Sequence, residues 1–341
     1  MSTGSSIKQT VTIGIPLGDI NGIGTEVALK AAQHRFPAGT RIVLIGSSRL
    51  VAEQASAFAL PTPSPWESDT ARKVTVWDPS PTESLRWIPG CLTTDASKGA
   101  YDWILAAIEA CQADTLDGIV TAPITKAGFA RAGMDIPGHT ELLAAQTQTK
   151  RYAMMLFGGT LRVVLVTRHI PLREVASALT QSGIQEAVQL THEALPWLSA
   201  ANRRIAVCGL NPHAGDGGRI GHEEINIISP VIQTLQRDGL DVTGPIPADT
   251  VFHRAHRGDY DAVVAMYHDQ GLGPLKMLAF DEGVNVTLGL PLVRTSPDHG
   301  TAFDIAGQGI AREHSMVQAV RWAAQLAQRP SPWSPSRKEN Q

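Results

Sequence analysis

Cysteine is scarce in this chain: Cys91, Cys111 and Cys208 are the only three. They are too few and too far apart for a disulfide framework or a zinc ribbon, so a reduced, cytoplasmic protein is expected. Cys111 and Cys208 lie in apolar segments and read as inert core residues. No apolar run approaches the roughly 18 residues of a membrane span. The opening MSTGSSIKQT has no apolar signal core, which argues against secretion. A basic surplus is also missing. Lys and Arg number 29 against 32 Asp and Glu, a net charge of −3, which argues against a general nucleic-acid binder. There is no internal repeat and no low-complexity block. What remains is a globular composition, 43% hydrophobic and 18% charged over 341 residues, long enough for roughly two domains.

Apolar runs alternate with helical patterns. VTIGIPL reads as a strand and TEVALKAA, after a Gly-rich turn, as a helix; RIVLIG and SRLVAEQASAFA repeat the sequence of strand then helix. PTPSPWESDTARK, broken by three prolines, reads as a surface loop. ASKGAYDWILAAIEACQ is helical and leads into the strand GIVTAPI. YAMMLFGG and LRVVLVT, joined by a short Gly-Gly-Thr turn, predict a hairpin. Two helical stretches follow. Then come the strand RIAVCGL, a Gly-rich loop, a helix around EEINIISPVIQTLQR and the strand DAVVAMY. A helix SMVQAVRWAAQLAQ precedes a Pro/Ser/charged tail from Arg329, expected to fray. The alternation indicates α/β architecture with much parallel sheet.

Open α/β sheets bind ligands beyond the carboxyl ends of their strands. LRVVLVT is followed there by Arg168 and His169, RIAVCGL by Asn211, Pro212 and His213, and DAVVAMY by His268 and Asp269. GIVTAPI runs into Thr125 and Lys126, with Gly138, His139, Thr140 and Glu141 close behind. Three of the eleven histidines thus share one kind of position. Imidazole suits Zn, Co, Fe or Ni, and three protein ligands leave positions open for substrate. The bland alternative, three separate capping or core histidines, stands beside that reading. His34, His192, His256 and His314 sit in helical or loop contexts and read as surface residues.

The loop NPHAGDGGRIGHEE carries Gly215, Gly217, Gly218 and Gly221, which either let backbone N–H groups approach an anion or supply positive φ. His222 and Glu223 read as the start of its helix. GDINGIGTE also joins a strand to a helix but lacks a full G-x-G-x-x-G, so it is a weak dinucleotide fingerprint. Lys276, Asn285, Arg294, Asp298 and His299 form a last polar group. Lys276 and Arg294 suit carboxylate or phosphate, against the usual fate of solvated surface charge. Arg294 follows the apolar run VNVTLGLPLV, a further strand-end placement.

The blocks PGHTELLA, GLNPHAGDGGRIGHEEI, PADTVF, AMYHDQGLGPLK and GVNVTLGLPLVRTSPDHGTA closely resemble the 4-hydroxythreonine-4-phosphate dehydrogenase family of vitamin B6 biosynthesis, in family order from about Val11 to Gln328. The resemblance implies an isocitrate/isopropylmalate dehydrogenase-like α/β fold, with two α/β domains and a cleft between them. Residues 1–126 and 298–341 would form an outer domain, and residues 127–297 a central one carrying a homodimer interface. His169, His213 and His268 would hold one divalent metal (Zn, Mg or Co), one of them supplied by a second subunit. His139, Thr140, Lys276, Asn285 and Arg294 would contact substrate, with Asp249 near it. HGTAFDIAG is similar to the adenosine loop of the wider isopropylmalate dehydrogenase group. It implies NAD (or NADP) at His299, Gly300 and Thr301.

The chemistry implied is oxidation of a phosphorylated hydroxy acid, 4-phosphooxy-L-threonine, to 2-amino-3-oxo-4-phosphooxybutanoate, which loses CO2 to give 3-amino-2-oxopropyl phosphate. Lys276 is the candidate proton relay, or else it fixes a substrate anion, and Asp249 is a second catalytic candidate. Two segments depart from the family pattern. GDINGIGTE stands where Gly-Asp/Glu-Pro-Ala-Gly-Ile-Gly-Pro is usual, and TAPITKAGFARAG differs before its lysine. These departures leave open a paralogous dehydrogenase acting on 4-phosphoerythronate, phosphothreonate or a cyclic dihydrodiol dicarboxylate. A non-catalytic binding protein on the same frame is a third reading. Retention of the three histidines with Lys276, Asn285 and Arg294 argues against it.

Overall fold

The computed structural model describes residues 8–66, 73–81, 83–200 and 202–335. The chain folds into two compact units, residues 1–149 with 290–341 and residues 150–289.

Unit 1 is built from β1 (Val11–Pro16), α1 (Gly24–Ala31), β2 (Thr40–Ile45), α2 (Ser48–Ala57), β3 (Ser64–Pro65), β4 (Val74–Trp77), α3 (Thr94–Gln112), β5 (Gly118–Val120), α4 (Lys126–Arg131) and α5 (His139–Gln146). Unit 2 holds β6 (Ala153–Gly158), β7 (Leu161–Leu165), α6 (Val175–Ala178), α7 (Gln181–Ala194), β8 (Ile205–Cys208), α8 (Ser229–Arg237), β9 (Val242–Ile246), α9 (Ala248–His256), β10 (Ala262–Ala265), α10 (His268–Ala279) and β11 (Val284–Leu288). The chain then returns to unit 1 with β12 (Val293–Pro297) and α11 (His314–Leu326).

In unit 1 the strand order is β3-β4-β2-β1-β5-β12, every pair parallel. The apolar runs of β1 and β2 are buried almost throughout, as strands covered on both faces must be. Thr93 starts α3 by accepting a hydrogen bond from the Ala96 N–H at 3.3 Å, the usual service of a threonine cap. In unit 2 the order is β11-β6-β7-β10-β8-β9. The β6–β7 hairpin is antiparallel, with Gly158 opposite Leu161, as its Gly-Gly-Thr turn predicts. The core packs Leu156, Val163, Phe252 and Leu275 together. Among the described residues no helix is long and apolar enough to cross a membrane.

Three local readings change. Part of the proline-rich loop pairs with β4 as the edge strand β3; its residues 67–72 lie outside the described residues, as does the tail beyond 335. Residues 127–149 and 290–297, which the resemblance places in the central domain, group with unit 1. There α4 lies against α3, with Phe129 edge-on to Tyr101 at 6.2 Å. VNVTLGLPLV is not one strand. Gly289 takes φ +92, and a Cβ there would sit 2.1 Å from the Arg151 carbonyl, so the chain turns. Arg294 therefore stands inside β12 and not beyond a strand end.

Candidate active site

At the carboxyl end of β5 three groups of unit 1 converge on one short run, Thr121–Pro123. Arg294 donates from Nε and Nη2 to Thr121 Oγ1 at 3.2 and 2.7 Å. It is only 3% exposed. Burial pushes the guanidinium down to about 10, and the Glu141 carboxylate pulls it back up. Even so it stays cationic at neutral pH.

His139, the first residue of α5, is held well below the usual imidazole range. Burial is the main cause and the Arg294 charge the second, opposed by a ring hydrogen bond to the Ala122 carbonyl. Its Nε2 has no hydrogen-bond partner among the described residues. A neutral ring that donates to Ala122 keeps Nε2 as an acceptor. It suits a substrate O–H or N–H, and the anion is left to Arg294. Thr140 is buried beside it. The Asp19 N–H donates to the Pro123 carbonyl at 2.9 Å, which places this buried carboxyl at the same strand end.

In unit 2 the loops after β7 and β10 bring His169 and His268 together, ring centroids 5.4 Å apart at 44°. Two imidazoles on one tetrahedral ion, each at about 2.0–2.1 Å, would have centroids roughly 5 Å apart, so this pair fits a shared metal. His268 opens α10, and its Nδ1 lies 2.7 Å from Asp269 Oδ1. A proton donated there leaves Nε2 as the ligand nitrogen, the arrangement typical of metal-bound histidine.

His213 is not gathered with that pair into one ligand group. Among the described residues no three potential ligands converge. His213 lies in a left-handed turn, with φ +53 at His213, +51 at Ala214, +81 at Gly215, +43 at Asp216 and +65 at Gly217. The glycines of this loop thus supply positive φ. Gln270 ties the two strand exits of unit 2 together: its Oε1 accepts from the Met266 N–H at 2.7 Å and its Nε2 donates to the Gly209 carbonyl at 2.8 Å.

The other expected site residues are dispersed over unit 2. Asp249 lies in the first turn of α9. Lys276 is in the last turn of α10, its ammonium 5.7 Å from the Phe280 ring. Asn285 is on β11 opposite Leu156. In unit 1 the loop with His299, Gly300 and Thr301 is braced from below. The Thr301 carbonyl accepts from the Ile23 N–H at 3.0 Å, and a Cβ on Gly22 would come within 2.8 Å of it. A Cβ on Gly300 would meet nothing within 4 Å. The backbone at Gly300 therefore has open space on that side.

Sequence reasoning passed over Thr121, Asp19, Gln270 and Glu224. Each has an ordinary residue type and becomes distinctive only through burial and partners.

Comparison with known proteins agrees with this architecture. The family described as "Pyridoxal phosphate biosynthetic protein PdxA" matches residues 38–323. A D-threonate 4-phosphate dehydrogenase of Cupriavidus necator is 42% identical over 333 residues, covering 93% of this chain and 97% of that protein. A 4-hydroxythreonine-4-phosphate dehydrogenase of Geobacter metallireducens is 42% identical over 322 residues, 92% of this chain and 95% of that one. The crystal structure of a 4-hydroxythreonine-4-phosphate dehydrogenase from Klebsiella pneumoniae superposes with a TM-score of 0.83 at 37% identity, over 94% of this chain and 100% of that chain.

Proposed function

This chain belongs to the PdxA family and is a dehydrogenase acting on a CH–OH group; on that premise we propose that it oxidises the C3 hydroxyl of 4-phosphooxy-L-threonine with a nicotinamide dinucleotide, NAD or NADP. Hydride leaves C3 for the nicotinamide ring while the hydroxyl proton is given up, forming 2-amino-3-oxo-4-phosphooxybutanoate. The carboxylate then stands β to a ketone. Its C–C bond breaks, CO2 departs, and the carbon left behind takes a proton to give 3-amino-2-oxopropyl phosphate.

The observation that carries this reading is the His169–His268 pair with Asp269 behind it. We assign these two histidines, with His213 from a second copy of the chain, to one divalent ion (Zn, Mg or Co). When bound, such an ion supplies positive charge beside the oxygen that is losing its proton. The remaining roles belong to the chain. Arg294 holds a substrate anion with a charge fixed by Thr121, and His139 accepts from a substrate hydroxyl or amine next to Thr140. Lys276 and Asn285 bind the other end of the substrate, and Lys276 or Asp249 relays the proton. His299, Gly300 and Thr301 cradle the dinucleotide.

A homodimer is supported by two features. The ligand set is incomplete within one chain. Of the nine exposed large hydrophobics among the described residues, seven lie in unit 2, including Leu172, Ile225, Met277 and Phe280, an excess typical of a buried oligomer face.

A second reading is favoured by the relative from Cupriavidus necator, named a D-threonate 4-phosphate dehydrogenase. That acid shares the C1 carboxylate, C3 hydroxyl and C4 phosphate, and differs only in carrying a hydroxyl for the amino group at C2. Purified chain given NAD, a divalent metal and each acid in turn decides between them by formation of reduced nicotinamide. Turnover of the amino acid with a kcat/KM at least about tenfold above that of its hydroxyl counterpart supports the first reading. The reverse order establishes the second. Turnover of neither overturns both.

A further inference from the structure

Five consecutive residues, from His213 to Gly217, hold left-handed backbone angles. Three of them, His213, Ala214 and Asp216, are not glycine. L-residues visit this region singly and seldom in succession, so the surroundings must impose the turn. Its principal anchor is a buried carboxylate that the sequence leaves looking like an ordinary helix residue. Glu224 is 3% exposed and sits in the single π-helical turn Glu224–Ile228, a local irregularity often found at functional sites.

Its Oε1 accepts from the Leu210 N–H and from the Asn211 N–H, each at 2.7 Å. Its Oε2 accepts from Asn211 Nδ2 at 2.9 Å. Asn211 Nδ2 also donates to Glu223 Oε2 at 2.7 Å, so the amide is gripped from two sides. The same carboxylate lies beneath the left-handed turn, because a Cβ on Gly215 would fall 2.7 Å from Oε2. A single carboxyl group thus fixes both the exit of β8 and the turn that carries His213.

We propose that Glu224 is the positioning residue of the metal site, holding His213 where a metal can take it. The proposal rests on the reading of His213 as a metal ligand. Only a carboxylate suits the place: four lone-pair directions meet three N–H donors and no acceptor. An amide would turn its own NH2 toward one of those donors.

The test is a Zn2+ titration of the metal-free full-length protein, followed by calorimetry, for wild type, H213A, E224Q and the double variant. Thermal unfolding without metal is recorded alongside. E224Q is expected to weaken Zn2+ binding by about tenfold or more, the scale of a lost supporting contact, while unfolding in the metal-free state shifts by only a few degrees. In the H213A background the same change is expected to add nothing, since Glu224 acts through His213. Wild-type affinity in E224Q beside a weakened H213A overturns the positioning role alone. An undiminished further loss in the double variant overturns it as well. Wild-type affinity in H213A overturns the ligand reading, and the proposal with it. If E224Q does not fold, G215A presses on the carboxylate from the turn side and is expected to weaken Zn2+ binding likewise. Unchanged affinity in folded G215A counts against the proposal.

Discussion

Both Nε and Nη2 of Arg294 point to one oxygen, Thr121 Oγ1, at 3.2 and 2.7 Å. The contact joins neighbouring strands, since Arg294 pairs with Ile119 across the β12–β5 ladder. A buried guanidinium spends its donors on the chain, and the rest of its charge is aimed by that contact. Thr121→Val keeps the side-chain volume and removes the acceptor. It should cost about 1–3 kcal/mol in urea unfolding, because a buried donor loses its partner. It should also raise KM for the phosphorylated substrate several-fold while kcat falls less. An unchanged KM would mean that the contact supports the fold alone.

Asp269 is 90% exposed, yet it holds His268 Nδ1 at 2.7 Å. Asp269→Asn replaces a carboxylate acceptor by a neutral amide and lets the imidazole choose the other tautomer. Metal affinity should fall by about 10–100-fold, read by competition with a colorimetric chelator. An exposed side chain adds little to stability, so the unfolding temperature should stay close to that of wild type. A large drop in stability with intact metal binding would contradict the role assigned here.

Much of the frame is legible in the sequence for a simple reason. Near-continuous apolar runs such as VTIGIP and AVVA can only be buried strands, and polar residues just past them fall at the sheet's ligand-binding edge. That rule picks out His169, His213 and His268 alike as candidates, and only the fold shows that His169 and His268 come together within one chain. The rule misses Thr121, because a threonine beside an apolar run looks like any β-branched strand residue until Arg294 is seen against it. Glu224 is hidden in the same way. Its helix-like neighbours mask a carboxylate whose partners, Leu210 and Asn211, lie more than a dozen positions upstream. Arg294 was misplaced because the period of an apolar run does not reveal a turn, and only the left-handed Gly289 breaks it.

Thiol chemistry offers a check on packing that is independent of catalysis. Burial pushes both the Cys111 and Cys208 thiols far up, with Asp117 and Asp114 adding to the rise at Cys111. Neither forms thiolate at neutral pH, and thiolate is the reactive species. Cys91 is exposed. Titration with an aromatic disulfide should count one thiol in the native protein and three after denaturation. Cys111 is half-buried and Cys208 buried, so prompt reaction of a second thiol in the native state would point to Cys111, and prompt reaction of all three would show that β8 opens readily.

Asp19 makes a prediction about acid stability whose sign is unusual. Burial pushes its carboxyl up from 3.8 to about 6, against the pull of the Asn21 N–H, which donates to Oδ1 at 3.0 Å. Its Oδ2 has no hydrogen-bond partner among the described residues. The folded state therefore holds the proton more tightly than the unfolded one. Below the unfolded pKa both states are protonated and the group is neutral in the balance. As pH climbs from about 4 to about 6, the unfolded chain ionises first and stability is lost; above that window both are ionised and the loss is complete. The shift corresponds to about 3 kcal/mol. Asp19→Asn should flatten this part of the profile, so that urea midpoints of variant and wild type diverge as pH rises through the window. Parallel profiles would mean that Asp19 is ionised in the fold throughout, balanced by a cation or an ordered water at Oδ2. Asp19 stands at the Pro123 end of the run whose Thr121 and Ala122 meet Arg294 and His139.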